Sequence, residues 1–315
     1  MLRFGLAKLC PLIAALVLGG CAGGDVGGPM PLADPVVARD SMQDLAGARL
    51  VMHAWQSHGP TRAVILGLHG FGDAGDLTFA EAARYWAGRS IDVYAPDQRG
   101  FGANASRKRW PGTDALVADA VAAAAMVRSR HAGLPLVVVG HSMGGGVALA
   151  AAAAGMDADA LVLAGPAIAG GDALNPIYRV GGWALGAVAP DKRWTGAGIV
   201  KIHPTDNREA LRRVSRDPRH FADPSSRELF GLVLLMDEAA AAAPAVHMPT
   251  LTLMGAHDEV LRPDRVRRIH ARIPGAVDFR YYPDGWHWLF SDLQAERVWK
   301  DVADFVLSGV DRDGI

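Results

Sequence analysis

The chain has 315 residues, of which 50% are hydrophobic, and its formal net charge is −1. A chain of this length suits one α/β domain with an insertion. Because the net charge is near zero and no basic cluster is present in the sequence, nucleic acid is not expected as a partner.

The first 20 residues have the organisation of a signal peptide. Arg3 and Lys8 accompany an apolar run over residues 9–20. This run is too short to cross a bilayer, which requires about 20 residues. Leu18-Gly19-Gly20-Cys21 is similar to the cleavage box of bacterial lipoproteins, in which the cysteine becomes the lipidated first residue. Ordinary cleavage, with Cys21 as a bystander, is the alternative.

Lipidation of Cys21 predicts an exported lipoprotein, anchored to a membrane on the periplasmic side. Residue 22 is alanine and not the aspartate associated with inner-membrane retention. The resemblance therefore implies the outer membrane, where the organism has one. Residues 21–40 are rich in glycine and proline, which predicts a flexible tether of about 25 Å. Cys10 would leave with the signal peptide, so no internal disulfide is expected.

Apolar strand-like runs alternate with helix-like runs through most of the remaining chain. This alternation predicts an α/β fold, with a mostly parallel central sheet and helices on both faces. The predicted strands are 63–68, 91–95, 136–139, 161–164, 249–254 and 277–282. The predicted helices are 114–130, an alanine-rich run at 145–155, and 291–307.

The alternation lapses between residues 166 and 247. This stretch is long for a connection and should have its own structure. A short basic helix is predicted at 208–214 and a longer apolar helix at 225–243. We therefore expect a helical cap over 166–247 that divides the core into 41–165 and 248–315. A few apolar side chains of the cap are expected to line an acyl-binding channel.

Gly140-His141-Ser142-Met143-Gly144 lies between the apolar run 136–139 and the alanine-rich run. The five residues fit the Gly-x-Ser-x-Gly nucleophile elbow, a sharp strand-to-helix turn. Such a turn crowds its own backbone, so Gly140 and Gly144 meet a need for small residues. The motif predicts that Ser142 is a nucleophile. An ordinary turn between strand and helix is the alternative.

A serine hydroxyl needs a base to take its proton and a third group to orient that base. In folds with this elbow the order along the chain is serine, acid, histidine. Asp258 follows the strand predicted at 249–254 and is the expected acid, with Glu259 ranked second and Asp172 third. His287 follows the last predicted strand, downstream of both partners, and is the expected base.

The oxyanion of an acyl-transfer reaction requires a pair of backbone donors. One is expected to be the N–H of Met143, directly after the nucleophile. The other is assigned to Phe71, in the glycine-flanked loop after the strand 63–68. His69 is expected to brace this loop, and His141 to point away from Ser142.

These segments together resemble an α/β-hydrolase of the lysophospholipase and monoacylglycerol lipase type, over about residues 48 to 307. One departure concerns Gly72-Asp73-Ala74, where members acting on monoglycerides often have Gly-Glu-His. The matching motifs are His69-Gly70-Phe71-Gly72, Asp97-Gln98-Arg99-Gly100-Phe101-Gly102, Gly140-His141-Ser142-Met143-Gly144-Gly145, Gly255-Ala256-His257-Asp258 and Tyr282-Pro283-Asp284-Gly285-Trp286-His287.

The resemblance implies a serine hydrolase that cleaves carboxylic esters of lipids through an acyl-enzyme. Its partners would be a small lipid or ester substrate and the membrane, and no metal or organic cofactor is needed. An aminopeptidase of the same fold is the nearest alternative, with Glu209 or Glu228 holding a substrate amine. An acyltransferase and a non-catalytic binding protein are the others. The sequence does not fix the oligomeric state.

Overall fold

The computed structural model describes residues 37–168, 184–195 and 202–310. In this part of the chain the strands are β1 (Val37–Leu45), β2 (Ala48–Gln56), β3 (Ala63–Leu68), β4 (Ile91–Pro96), β5 (Leu136–His141), β6 (Ala160–Ala164), β7 (Thr250–Gly255) and β8 (Ala276–Tyr282). They form one sheet in the order β1-β2-β4-β3-β5-β6-β7-β8. β2 runs antiparallel to β1 and β4, and every other neighbouring pair is parallel. The predicted mostly parallel sheet is confirmed.

The longer helices of the described residues are α1 (Gly75–Ala87), α2 (Thr113–Arg130), α3 (Met143–Ala153), α4 (Arg208–Arg216), α5 (Ser226–Ala242), α6 (Pro263–His270) and α7 (Ala295–Val310). The last helix begins later than the predicted residue 291. Turns precede it, in which the Ser291 and Asp292 N–H groups both donate to the Trp288 carbonyl. Among the described helices, none combines the length and apolarity required to cross a bilayer.

Successive residues of the central strands face two different hydrophobic clusters, because side chains alternate across a sheet. Leu66 and Val138 face the cluster formed with α2, α3 and α5. Ile65 and Val139 face the cluster formed with α1 and α7. Each of these side chains is fully buried, which is worth about 1.5–3 kcal/mol per side chain. Burial on both faces explains why these strands are continuous apolar runs.

The N-terminal hairpin corrects one predicted boundary. β1 begins at Val37 and pairs with β2 along its whole length, so residues 37–40 are strand and not part of the tether predicted for 21–40. Ala46 and Gly47 form the turn, both with positive φ, as two-residue hairpins require. β1 lies at the edge of the sheet and is rich in polar residues. Because it lacks an apolar run, no strand is predicted there from the sequence. Cys21 lies outside the described residues.

The two helices predicted within 166–247 are present as α4 and α5, but α5 is part of the core. It packs against α3, and Leu232, Leu235 and Met236 are buried in the same cluster as α3. A Cβ at Gly146 of α3 would lie 3.6 Å from Leu235 Cγ, so the helices approach closely. The face of α5 that carries these three residues therefore covers the helix that follows Ser142.

A buried histidine joins the hairpin to the rest of the sheet. His53 on β2 contacts Asp40 on β1 through Nδ1 (2.8 Å) and Asp97 after β4 through Nε2 (3.1 Å). Asp76 of α1 lies 3.7 Å from the same Nε2. Burial alone would lower the pKa of His53, but the three carboxylates raise it to about 9. The ring is therefore an imidazolium at neutral pH, with both nitrogens donating.

This arrangement predicts a pH dependence of stability. The folded-state pKa lies above the unfolded value, so the contribution is complete below about pH 6.5 and is lost as pH rises through about 9. The full contribution is about 3 kcal/mol. Urea unfolding of wild type and His53→Gln from pH 6 to 10 measures it. The wild-type advantage should shrink across that window. An advantage that does not change with pH would contradict the prediction, and exposed His58→Gln is the control.

Candidate active site

Ser142 occupies the turn between β5 and α3 in a backbone conformation that few non-glycine residues adopt. Its φ is 52° and its ψ is −117°. Its N–H donates to the Ala164 carbonyl on β6 (3.0 Å). Its carbonyl accepts from the N–H groups of Gly145 (2.9 Å) and Ala167 (2.8 Å). Hydrogen bonds at both its N–H and its carbonyl therefore hold Ser142 in this conformation. A strained backbone persists only where such surrounding contacts determine it.

The two glycines of the elbow allow the turn to pack without steric conflict. A Cβ at Gly140 would lie 2.6 Å from the Gly145 Cα. A Cβ at Gly144 would collide with the Leu68 carbonyl oxygen and lie 2.7 Å from that of His69. Gly140 is crowded by the elbow itself, whereas Gly144 is crowded by the end of β3. The lack of a side chain at Gly144 therefore lets α3 approach β3.

Ser142, His287 and Asp258 form one hydrogen-bonded chain. His287 Nε2 lies 3.0 Å from Ser142 Oγ, and His287 Nδ1 lies 2.9 Å from Asp258 Oδ2. Asp258 Oδ1 accepts from the N–H groups of Val260 and Leu261, both at 2.8 Å. A carboxylate beside Nδ1 assigns the hydrogen to that nitrogen, which leaves the Nε2 lone pair for the serine hydroxyl.

The loops after β7 and β8 bring the acid and the base together, and a glycine after β6 leaves room for them. Gly165 has φ +48°. A Cβ there would lie 3.3 Å from His287 Nδ1 and 3.5 Å from Asp258 Oδ2. Gly165 is not among the residues predicted from the sequence. Its position directly after the strand that neighbours the elbow strand is the signal that could have identified it.

Glu259, which ranked second as the acid, is hydrogen-bonded to a different histidine. The side chain of Glu259 is 39% exposed, and its Oε2 accepts from the His203 N–H at 2.7 Å. Asp172 lies outside the described residues. Among the described carboxylates, Asp258 is the one hydrogen-bonded to the imidazole of His287.

Both residues expected to supply oxyanion donors lie beside Ser142. Met143 is the first residue of α3. Phe71 follows Gly70, where a Cβ would lie 3.4 Å from that of Ser142. His69 braces this loop, because its Nε2 accepts from the Gln98 N–H (2.9 Å) and its carbonyl accepts from Gln98 Nε2 (2.7 Å).

His141 supports the backbone of His287, and the centroids of the two rings lie 5.2 Å apart. Its Nε2 donates to the His287 carbonyl at 3.0 Å. Burial and the nearby His287 lower the pKa of His141 to about 3, so its ring stays neutral. His141 and Asp73 line the same small cavity, and the Asp73 carboxyl accepts from Thr78 Oγ1 at 2.6 Å. The sequence Gly72-Asp73-Ala74, which differs from the Gly-Glu-His of many monoglyceride-cleaving members, therefore places a carboxyl in the cavity beside His141.

Four aromatic rings pack together against the loop that carries Phe71. The centroid of the Phe71 ring lies 5.2 Å from that of Phe101, 5.7 Å from that of Phe221 and 6.4 Å from that of Trp110. The Phe221 N–H donates to the Gly72 carbonyl (2.9 Å), which attaches the segment between α4 and α5 to this loop. The Phe71 loop is therefore apolar on the side of its aromatic ring.

The model of the serine aminopeptidase S33 family matches residues 59–294, which include the elbow, Asp258 and His287. The chain belongs to this family. It is 29% identical over 285 residues to a monoacylglycerol lipase of Mycolicibacterium smegmatis, covering 85% of this chain and 96% of that protein.

Solved structures of low identity share the fold. A soluble variant of the Saccharomyces cerevisiae monoglyceride lipase has a TM-score of 0.71 at 18% identity, covering 89% of this chain and 98% of that one. A thermostable carboxyl esterase from Bacillus coagulans has a TM-score of 0.73 at 17% identity, covering 87% and 99%. The chain is an α/β-hydrolase, as its sequence predicts.

Replacement of the second elbow glycine tests the packing of this turn. We expect Gly144→Ala to destabilise the protein by about 1–3 kcal/mol, because the added methyl group meets backbone atoms at the end of β3. Urea unfolding measures the loss. Gly59→Ala is the matched control, since nothing lies within 4 Å of a Cβ there. Equal stability of the two variants would show that the elbow has more room than the structure indicates.

Proposed function

We propose that the protein is a serine hydrolase that cleaves carboxylic esters of lipids with one acyl chain, as monoacylglycerol lipases and lysophospholipases do. The observation that carries the proposal is the hydrogen-bonded chain from Ser142 through His287 to Asp258. Similarity to a monoacylglycerol lipase over 85% of this chain and 96% of that protein supports the substrate class.

In the proposed mechanism Ser142 Oγ attacks the ester carbonyl while its proton passes to His287 Nε2. Asp258 holds the ring in the required tautomer and stabilises the imidazolium. The N–H groups of Phe71 and Met143 receive the negative charge that develops on the carbonyl oxygen. His287 then gives the proton to the leaving alcohol. Water, deprotonated by the same imidazole, hydrolyses the acyl-enzyme and restores the serine.

The aromatic cluster beside the oxyanion loop supports an apolar acyl group in the substrate. Phe71 belongs to this loop and to the aromatic cluster, in which Phe101 and Phe221 are buried while Phe71 and Trp110 are half-buried and offer apolar surface. A chain packed on such a surface gains about 0.8 kcal/mol for each buried methylene. Activity should therefore rise with acyl length until this surface is covered.

The aminopeptidase alternative receives less support from the described residues. Such an enzyme would need a carboxylate near Ser142 to hold a substrate amine. Glu228 is 1% exposed, completes the capping box of α5 with Ser225, and lies 3.4 Å from Arg193. Glu209 lies on the exposed first turn of α4. Among the described residues, neither side chain hydrogen-bonds to Ser142, Asp258 or His287, which favours an ester substrate.

Ser142→Ala tests the mechanism. We expect its ester hydrolysis to fall by about 10⁴–10⁶-fold with an unchanged melting temperature, because it removes the nucleophile alone. Wild type should also be labelled by a fluorophosphonate, and Ser142→Ala should not. Wild-type turnover by the purified variant would refute the assignment.

A substrate panel then tests the class. It contains p-nitrophenyl esters of increasing length, monoglycerides, lysophospholipids and aminoacyl anilides. Preference for the anilides would favour the aminopeptidase, and transfer to an added alcohol would favour an acyltransferase.

The N-terminal segment bears on where the protein is located in the cell. We propose that Cys21 is lipidated and that the exported enzyme is held on the periplasmic side of a membrane, in the outer membrane where there is one. The signal-like residues 1–20 and the Leu18-Gly19-Gly20-Cys21 box support this. Because β1 begins at Val37, residues 21–36 would form the tether, with a reach of about 20 Å.

Metabolic labelling with a fatty-acid probe tests the anchor. Wild type should incorporate the probe and sediment with membranes, because Cys21 supplies the acylated thiol and amine. Cys21→Ser should remain unlabelled and soluble while keeping ester hydrolysis. An unlabelled wild type would leave ordinary secretion as the explanation of the N-terminal segment.

A further inference from the structure

Residues 203–207 lie between β6 and α4, far along the chain from Asp258 and His287, yet they hydrogen-bond to the loops that carry both. We call residues 203–207 the bridge. We infer that the bridge positions the proposed acid and base relative to Ser142, and that Asp206 and Asn207 are positioning residues. This inference rests on the serine-hydrolase function proposed above.

On the acid side, the bridge contacts the residue that directly follows Asp258. The His203 N–H donates to Glu259 Oε2 at 2.7 Å. The His203 ring lies 6.3 Å from that of Trp286, which in turn stacks on His257 at 5.2 Å. His257 precedes the acid and Trp286 precedes the base. One end of the bridge therefore contacts both loops next to their functional residues.

On the base side, three hydrogen bonds follow His287 along its loop. The Trp288 N–H donates to the Pro204 carbonyl at 2.8 Å. Asn207 Nδ2 donates to the Ser291 carbonyl at 2.9 Å, and the Leu293 N–H donates to Asp206 Oδ1 at 2.9 Å. These bonds extend from the residue next to the base to the start of α7.

Asn207 couples this loop to a helix of the insertion. Its Oδ1 accepts from the N–H groups of Glu209 and Ala210, so it is the N-cap of α4. Its amide nitrogen Nδ2 donates a hydrogen bond to the Ser291 carbonyl at the same time. A shift of α4 would therefore move the loop that carries His287. Displacements of about 1 Å in such a site cost up to about 100-fold in rate.

Asn207→Asp separates the two roles of this side chain. Aspartate caps a helix as well as asparagine does, but it cannot donate to the Ser291 carbonyl. We expect kcat for p-nitrophenyl acetate to fall about ten-fold, with KM and the melting temperature unchanged. Hydrogen exchange of residues 286–293 should become faster.

Asp206 supplies the second test, because one replacement keeps its acceptor and another removes it. Asp206→Ala should lower kcat about ten-fold, and Asp206→Asn should restore most of it. Asp284→Ala is the matched control. Asp284 is an exposed carboxylate three residues before His287, so its loss changes the charge of the same loop without touching the bridge. Its kcat and its loop exchange should match wild type.

The measurements separate failure of the bridge from failure of the proposed function. Wild-type kcat and wild-type loop exchange in both Asn207→Asp and Asp206→Ala would overturn the inference, as would an equal loss in Asp284→Ala or in Asp206→Asn. A wild type that neither hydrolyses esters nor reacts with a fluorophosphonate would refute the function. Loop exchange would still decide whether the bridge holds residues 286–293.

Discussion

The backbone of Ser142, held at a positive φ, is the constraint on which the site depends. A non-glycine residue in this conformation costs about 1–3 kcal/mol and persists only where its surroundings determine it. Here β6 accepts its N–H, and α3 and the residues after β6 donate to its carbonyl. The small residues on either side let α3 approach β3. Close packing of three central elements thus presents one hydroxyl at the edge of the sheet.

Parallel strands determine where the partners of that hydroxyl lie. β5, β6, β7 and β8 are neighbours in the sheet, and their carboxyl ends lie at the same edge. Asp258 and His287 each follow one of these strands, and Gly165 follows the strand between the serine and the acid. A Cβ at Gly165 would be in van der Waals contact with both, and its positive φ favours glycine, so a residue that contributes no chemistry lies directly against the acid and base.

Residues whose role follows from their neighbours along the chain could be predicted from the sequence. The elbow is one short motif between an apolar run and an alanine-rich run, and chain order selected His287 among 11 histidines. Features that depend on distant residues were not predictable. The apolar face of α5 gives no sign of whether it packs on α3 or lines a channel. Polar β1 becomes a strand because β2 offers it a partner. The contacts of residues 203–207 follow from the meeting of three loops, which no local pattern records.

The contact between Asp40 and His53 has a mechanical consequence. These residues are opposite each other in the β1–β2 ladder, a few pairs from its end at Val37. β1 is an edge strand, so a pull on a lipid-anchored N-terminus would peel it from β2 one pair at a time. The imidazolium lies a few pairs into that path and is held by Asp97 within the sheet. Under the anchoring proposed above, this contact would resist the peeling of β1 after only a few pairs had separated.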